Sequence, residues 1–351
     1  MTDSAPFRIA INGYGRIGQC VLRALYENGF RDHLQVVAIN ELSDIATIAH
    51  LTRYDSTHGR FQGEISVSGQ DLVVNGDAIR VLRHADPAEL PWRLLDVDLV
   101  LECSGAFSDR ATAQKHIDAG AKRLLFSQPA ESDVDRTVVY GVNHSDLAAD
   151  DVIVAAASCT TNCLVPVIRV LDEAFGVEQG STTTIHAAMN DQPVIDAYHH
   201  QDLRRTRSAL HNIVPVETGL AKGIERLLPN MEGKFSSVAM RVPTMNVSAI
   251  DMVVNVRTPT DVATVNKLLE EAANGPLKSI LGYTDELLAS SDFNHDAHSG
   301  VVDGGQTRVS GGTMVKVLCW FDNEWGFANR MLDVSRCWLE KTENRTENRV
   351  R

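Results

Sequence analysis

The stretch 13-GYGRIG-18 limits the fold more than any other. A short apolar run, Arg8 to Ile11, leads into it, and a helical pattern with Ile17, Val21, Leu22 and Leu25 on one face follows. The spacing G-x-G-x-x-G alone is weakly specific. Between a strand and a helix it reads as a turn that cradles a pyrophosphate. There Gly13, Gly15 and Gly18 allow a tight bend and close approach, and the helix start offers free N–H groups. A second strand, 36-VVAINE-41, ends in Glu41, 23 residues after Gly18, close to the spacing at which a carboxylate accepts from an adenosine ribose hydroxyl. An acid there repels a 2′-phosphate, so the expected cofactor is NAD rather than NADP. The competing reading is a glycine turn that binds nothing.

Further runs continue the alternation: 64-EISVSG-69, 71-DLVVNGDAIRVL-82 broken at Asn75-Gly76, 97-VDLVLECSG-105, a helix from Arg110 to Ala119, 121-AKRLLFS-127, 137-TVVYGVN-143 and 152-VIVAAAS-158. Strands alternating with helices predict an α/β domain with a mostly parallel sheet covered on both faces. The segment 104-SGAF-107 and Ser127 follow strand ends, where such sheets bind ligands, although ordinary turn chemistry explains them as well. The charged tail after Trp338 is expected to fray.

A chain of 351 residues, 44% hydrophobic, is long enough for two packed cores. Its net charge of -13, from 33 basic and 46 acidic residues, argues against nucleic acid or an anionic membrane as partner. No apolar run approaches the roughly 20 residues needed to span a bilayer. The N-terminus reads as no signal peptide. Cysteines at 20, 103, 159, 163, 319 and 337 are sparse, as expected for reduced thiols of the cytoplasm.

The chemistry centres on 158-SCTTNC-163. A strand ends at Ser158 and 160-TTNCLVPVIRVL-171 reads as a helix, so Cys159 stands at a helix start, where the dipole and free N–H groups are expected to lower a thiol pKa. Cys163, one turn on among apolar residues, reads as packing. No ligand set for zinc is nearby, and the histidines of 294-NHDAH-298 read as hydrogen-bonded surface residues, so no metal is expected. His186 arrives in a strand reading 182-TTTIHAAMND-191, its role open between base and structural residue. The cluster 204-RRTR-207 is either a solvated patch or a phosphate site. Arg241, embedded in the apolar strand 238-VAMRVPT-244, implies a fixed anion partner.

The motifs INGYGRIG, ASCTTNC, TIH, DLRRTR, Arg241 to Ser248 and 322-DNEWGFANR-330, in this order along nearly the whole chain, resemble the glyceraldehyde-3-phosphate dehydrogenase family. The resemblance implies a Rossmann NAD-binding domain over 1–158, to which a last helix at about 325–340 returns, and an α+β catalytic domain with a mixed sheet over 159–322. It implies Cys159 as nucleophile and His186 as its base. Ser158 and Thr160 would contact substrate, and Arg205, Thr218, Gly219 and Arg241 would hold its anionic groups. Arg16 and Ile17 would lie beside the pyrophosphate, and Asn323 would bind the nicotinamide carboxamide. A homotetramer acting on a phosphorylated aldose is the implied assembly. Within the family, 39-INEL-42, 190-NDQPVIDAYHHQDLRRTR-207 and 292-DFNHDAHS-299 resemble the branch that oxidises erythrose 4-phosphate, as in pyridoxal 5′-phosphate biosynthesis.

Three departures from the triose-phosphate pattern stand out. Met189 replaces a threonine three residues after the histidine, Glu41 replaces an aspartate, and Ala85 replaces an arginine before Asp86-Pro87. The alternatives are a phosphorylating glyceraldehyde-3-phosphate dehydrogenase and a non-catalytic NAD-binding interaction protein.

Overall fold

The computed structural model describes residues 5–199 and 202–350, with the side chains of 344–350 left aside. His200 and Gln201 of the 190–207 segment therefore lie outside the described residues. The chain divides into two compact units, residues 1–158 with 328–351, and residues 159–327.

The first unit is built on a nine-stranded sheet. Strand Phe7–Asn12 lies near its middle, pairing in parallel with Leu34–Asn40 on one side and Leu99–Glu102 on the other. Leu124–Phe126, Ile153–Ala155 and the short Arg136–Thr137 continue the parallel ladder outward. On the far side Asp77–Leu82 is parallel, and Asp71–Val74 and Ile65–Ser68 close the edge as antiparallel strands. Ile9, Ala10, Ile11, Leu99, Val100 and Leu101 are fully buried, as expected for strands covered on both faces.

Helix Arg16–Glu27 follows the glycine turn and buries Val21, Leu22 and Leu25 of the stripe read from the sequence together with Cys20, while Ile17 is only partly buried. Gly13 sits at φ +87°, and a Cβ there would lie 2.4 Å from the backbone of Ser104. A Cβ on Gly18 would meet the carbonyl oxygen of Gly13 at 2.3 Å, so the helix packs directly on the turn. Gly15 has open space around it.

Two expectations need correction in this unit. The run 137-TVVYGVN-143 is a strand only at its first residue. Asn143 then folds the chain into a turn, because its side chain accepts from the Val139 N–H and donates to the Thr137 carbonyl. The last helix is also longer than expected, spanning Trp325–Val350. Its part from Ala328 onward belongs to this unit. Trp338 Nε1 donates to the Ala148 carbonyl at 3.2 Å, and Lys341 Nζ donates to the carbonyls of His144, Ser145 and Leu147. These bonds fix the helix as far as Lys341.

The second unit carries a mixed seven-stranded sheet. Its third strand in spatial order, Val177–His186, pairs in parallel with Phe235–Arg241 and antiparallel with the central strand Ser248–Val256. Helix Cys159–Phe175 buries Leu164, Val165, Val167, Ile168 and Leu171, each worth about 1.5–3 kcal/mol of transfer free energy. The strand that carries His186 ends at that residue instead of running on to 191. No helix among the described residues is long and apolar enough to cross a membrane.

Gly13→Ala should destabilise the first unit by about 2 kcal/mol or more, since a left-handed residue costs roughly 1–2 kcal/mol before any clash. Gly15→Ala, which meets nothing within 4 Å, should leave stability nearly unchanged. Thermal unfolding of the two variants checks this, and equal melting temperatures would count against the close approach.

Candidate active site

The nucleophile and its neighbours are set by two strand ends and one helix start in the second unit. In the parallel register His186 is the partner of Arg241, so the last residues of two adjacent strands stand side by side. Helix Cys159–Phe175 begins at the cysteine itself. Cys159 Sγ lies 3.9 Å from His186 Nε2. His186 Nδ1 lies 2.8 Å from the Ala187 carbonyl oxygen and 2.8 Å from a guanidinium nitrogen of Arg241. The Phe321 ring meets the imidazole edge-on at 6.2 Å between centroids.

The helix start was expected to lower the thiol pKa. The Thr160 N–H and the Arg241 charge do act in that direction, but burial of the sulfur outweighs them and pushes the thiol up to about 11. The residue as a whole is only partly buried, yet its sulfur sits deep. Burial, and then the Arg241 charge, push the imidazole down to about 4. Burial thus acts on both groups in favour of their neutral forms, raising the thiol and lowering the imidazole.

Of the anion-binding candidates, Arg241 stands against His186, and Arg205 is joined to it through Asp191. Asp191 accepts from Arg205 at 3.0 Å and lies 3.9 Å from Arg241, so one carboxylate stands against both guanidinium groups. A pocket of about 480 Å³ is lined by Asp202, Arg204, Arg205, Pro215 and Glu217. Thr218 and Gly219 precede helix Leu220–Leu227, with Gly219 as an N-cap that has no side-chain cap. Thr218 Oγ1 accepts from the Leu220 N–H at 3.3 Å, so any anion at this short helix start would have to use the N–H groups after Leu220.

Asn323 is held by groups that the sequence did not single out. Ser248 Oγ accepts from the Ala187 N–H and donates to Asn323 Oδ1 at 2.8 Å, which fixes the amide with its NH2 group turned away from Ser248. Asp322, 1% exposed, accepts from the N–H groups of His295, Glu324 and Trp325 and so anchors the turn that carries Asn323. Asp322 had a legible signal, an aspartate three residues before Trp325 in the first helical turn. Ser248 and Asp191 had none, because their partners are remote in sequence or adopt loop positions.

In the first unit the cofactor candidates sit at the C-terminal ends of parallel strands. The helix that starts at Arg16 has Gly15 as its N-cap, again with no side-chain cap. The Arg16 guanidinium pairs with Asp55 at 2.8 Å, so Arg16 and Ile17 present their backbone at the helix start. Glu41 accepts from the N–H groups of Tyr14 and Leu42, which holds its carboxylate beside the glycine turn. Ser127 follows strand Leu124–Phe126 and donates its N–H to the Glu102 carbonyl. A narrow glycine turn, an open helix start and a fixed acid at the neighbouring strand end fit a dinucleotide. Ser158 closes this unit, one residue after Ala157, whose φ of 59° turns the chain from strand to helix.

Two measurements bear on the Cys159–His186 pair. His186→Ala should move the pH profile of Cys159 alkylation upward, because it removes the ring nitrogen that lies 3.9 Å from the sulfur; an unmoved profile would mean that contact is inert. His186 also makes the second unit acid-sensitive. The unfolded imidazole binds a proton near 6.5 and the folded one only at about 4, so protons favour the unfolded chain. Stability should fall by about 3 kcal/mol as pH drops through this window. Denaturant unfolding at pH 7 and pH 4 should show the parent losing that much more than His186→Gln, and equal losses would contradict a buried neutral ring.

Comparison with known families matches residues 7–110 to the NAD binding domain of glyceraldehyde 3-phosphate dehydrogenase and residues 158–323 to the C-terminal domain of the same enzyme. The first matched segment contains the glycine turn and Glu41, and the second contains Cys159, His186, Arg205, Arg241 and Asn323. The chain is therefore a two-domain protein with a Rossmann-type domain that binds NAD, and it belongs to the glyceraldehyde 3-phosphate dehydrogenase family of NAD-dependent dehydrogenases.

Proposed function

We propose that this protein oxidises D-erythrose 4-phosphate to 4-phosphoerythronate, with Cys159 as nucleophile and His186 as base. The observation that carries this reading is the Cys159–His186 contact beside Arg205 and Arg241, a nucleophile and base next to a site for an anion. Residues 1–158 with the last helix hold the cofactor, and residues 159–322 perform the chemistry.

The Cys159 sulfur adds to the aldehyde carbon and its proton passes to His186 Nε2. The carbonyl oxygen becomes the hydroxyl of a thiohemiacetal, with the Cys159 N–H and the imidazolium as candidate donors to the developing oxyanion. His186 then takes that hydroxyl proton as the carbonyl re-forms and the carbon–hydrogen electron pair departs. NAD would supply the acceptor for that hydride, and Gly13, Gly15, Arg16, Ile17, Gly18, Glu41, Ser127 and Asn323 are the residues that would hold it. The resulting thioester is cleaved by water, which returns the Cys159 thiol and releases the carboxylate. Ser158 and Thr160 flank the sulfur, and Arg205, Thr218, Gly219 and Arg241 hold the anionic end of the substrate.

The four-carbon substrate and the water step are favoured by Met189. The position where the triose-phosphate pattern has a hydroxyl carries a half-exposed thioether that cannot donate to a phosphate. The second reading, a phosphorylating triose-phosphate enzyme, draws support from Thr218-Gly219 at an open helix start, which would suit inorganic phosphate as acyl acceptor. The assembly is a homotetramer of the cytoplasm. It is supported by exposed apolar residues Val194, Ile195, Tyr198, Leu203 and Ile213 on one loop segment, a patch that suits burial against another copy.

NADH formation with erythrose 4-phosphate and with glyceraldehyde 3-phosphate, each with and without inorganic phosphate, tests this. The expected result is turnover of the four-carbon sugar that does not depend on phosphate. Strong phosphate dependence with the triose would replace the first reading by the second, and no turnover of either would leave a non-catalytic NAD binder.

A further inference from the structure

Three neighbouring strand ends of the nine-stranded sheet carry polar side chains in one row. In the parallel register Asn12 is the partner of Asn40 on one side and of Glu102 on the other, so the three side chains leave the same face of the sheet. All three are buried. Their hydrogen bonds run in one direction. The Asn40 amide oxygen accepts from the His84 N–H at 2.9 Å, so its NH2 group is the end that reaches Asn12 Oδ1, at 2.7 Å. Asn12 then turns its own NH2 group to Glu102, where Oε2 accepts. The other carboxylate oxygen, Oε1, accepts from the Ser104 N–H at 2.8 Å.

A further donor stands behind the carboxylate. Trp92 Nε1 only donates, and it lies 3.0 Å from His116 Nδ1, which leaves the ring hydrogen on Nε2. That nitrogen is 3.4 Å from Glu102 Oε2, and neither side chain reaches solvent. Three donors thus face one side chain that only accepts. A neutral amide of the same shape has one accepting end and one donating end, so it would serve Asn12 or Ser104 but not both.

Those two partners lie at the walls of the cofactor site. Asn12 leads directly into the glycine turn, and Ser104 opens the loop after strand Leu99–Glu102. The walls meet at Gly13, where a Cβ would lie 2.4 Å from the Ser104 backbone. One carboxylate therefore joins the two loops at the strand ends where such a sheet binds a dinucleotide.

We propose that Glu102 is a positioning residue of the cofactor site: by holding the Asn12 amide and the Ser104 N–H together, it keeps the glycine turn in the narrow form that accepts the NAD pyrophosphate. Glu102 acts through these two groups. The proposal rests on the NAD-binding role of the first unit and is independent of which aldehyde is oxidised.

The test is calorimetric titration of NAD into the full-length protein, parent against Glu102→Gln. The substitution leaves either the Asn12 NH2 group or the Ser104 N–H facing another donor, so the turn relaxes. If the relaxed form outweighs the narrow one by about ten to one, the Kd for NAD rises about tenfold at unchanged stoichiometry. A lesion that only unfolds part of the sample lowers the stoichiometry and leaves Kd in place, and that result overturns the proposal. Adding Asn12→Asp to Glu102→Gln exchanges donor and acceptor across the pair. The new amide then donates to the new carboxylate, its oxygen still accepts from Ser104, and Asn40 still donates to position 12. The double variant gives up the longer approach of His116 but should bring Kd back to within about threefold of the parent. If Glu102→Gln does not fold, Asn12→Ala carries the same expectation of a raised Kd, since it frees the turn from the carboxylate while Ser104 stays bound. An unchanged or tighter Kd in the folded single variant, or a double variant that binds no better than Glu102→Gln, overturns the proposal. NADH formation from erythrose 4-phosphate by the parent, measured separately, bears on the substrate reading alone.

Discussion

The site depends on one strand pairing. Val177–His186 and Phe235–Arg241 run in parallel through the sheet of the second unit with His186 opposite Arg241. A slip of one residue would reverse the facing of every side chain on the strand. The base would then point away from Cys159, and the guanidinium would no longer share its nitrogen. Thr182 and Thr184, both buried, and the antiparallel pairing to Ser248–Val256 on the other side hold the register. That second pairing also brings Ser248 to the site, where it links the backbone after His186 to the amide of Asn323.

Burial and charge act in opposite senses around the sulfur. A thiol in a dry setting is a poor nucleophile, and here burial prevails over the helix start and the guanidinium in the absence of ligand. The imidazole is neutral for the same reason, with the nearby arginine adding to the effect. The two shifts have one cause, since burial disfavours the charged form of each group. Asp191 completes the balance by standing against the two arginines that an anionic substrate would otherwise have to find unscreened.

The first unit was more legible than the second because its signals are local. Gly13 and Gly18 mark a bend whose close contacts no larger residue would fit, and Glu41 closes the following strand at a spacing fixed by the strand–helix–strand unit. The misread segment 137–143 is instructive. Its apolar residues suggested a strand, but a single asparagine side chain, Asn143, captures the backbone N–H of Val139 and the Thr137 carbonyl and turns the chain. The helix just past Trp338 shows the converse, since its composition is polar but Lys341 finds three carbonyls contributed by residues almost 200 positions earlier.

By itself the sequence determined the glycine turn with its acid, the placement of Cys159 at a helix start and of His186 in a strand, and the packing role of Cys163. Each follows from residues within about one turn or one strand of each other. Only the tertiary structure decided that Arg241 stands beside His186, that Asp191 sits between two arginines, and that the sulfur is buried deeply enough to raise its pKa. Those facts depend on which strands pair, in which direction and in which register. Such pairings join residues 55 positions apart in the case of His186 and Arg241, a separation over which no local pattern carries information.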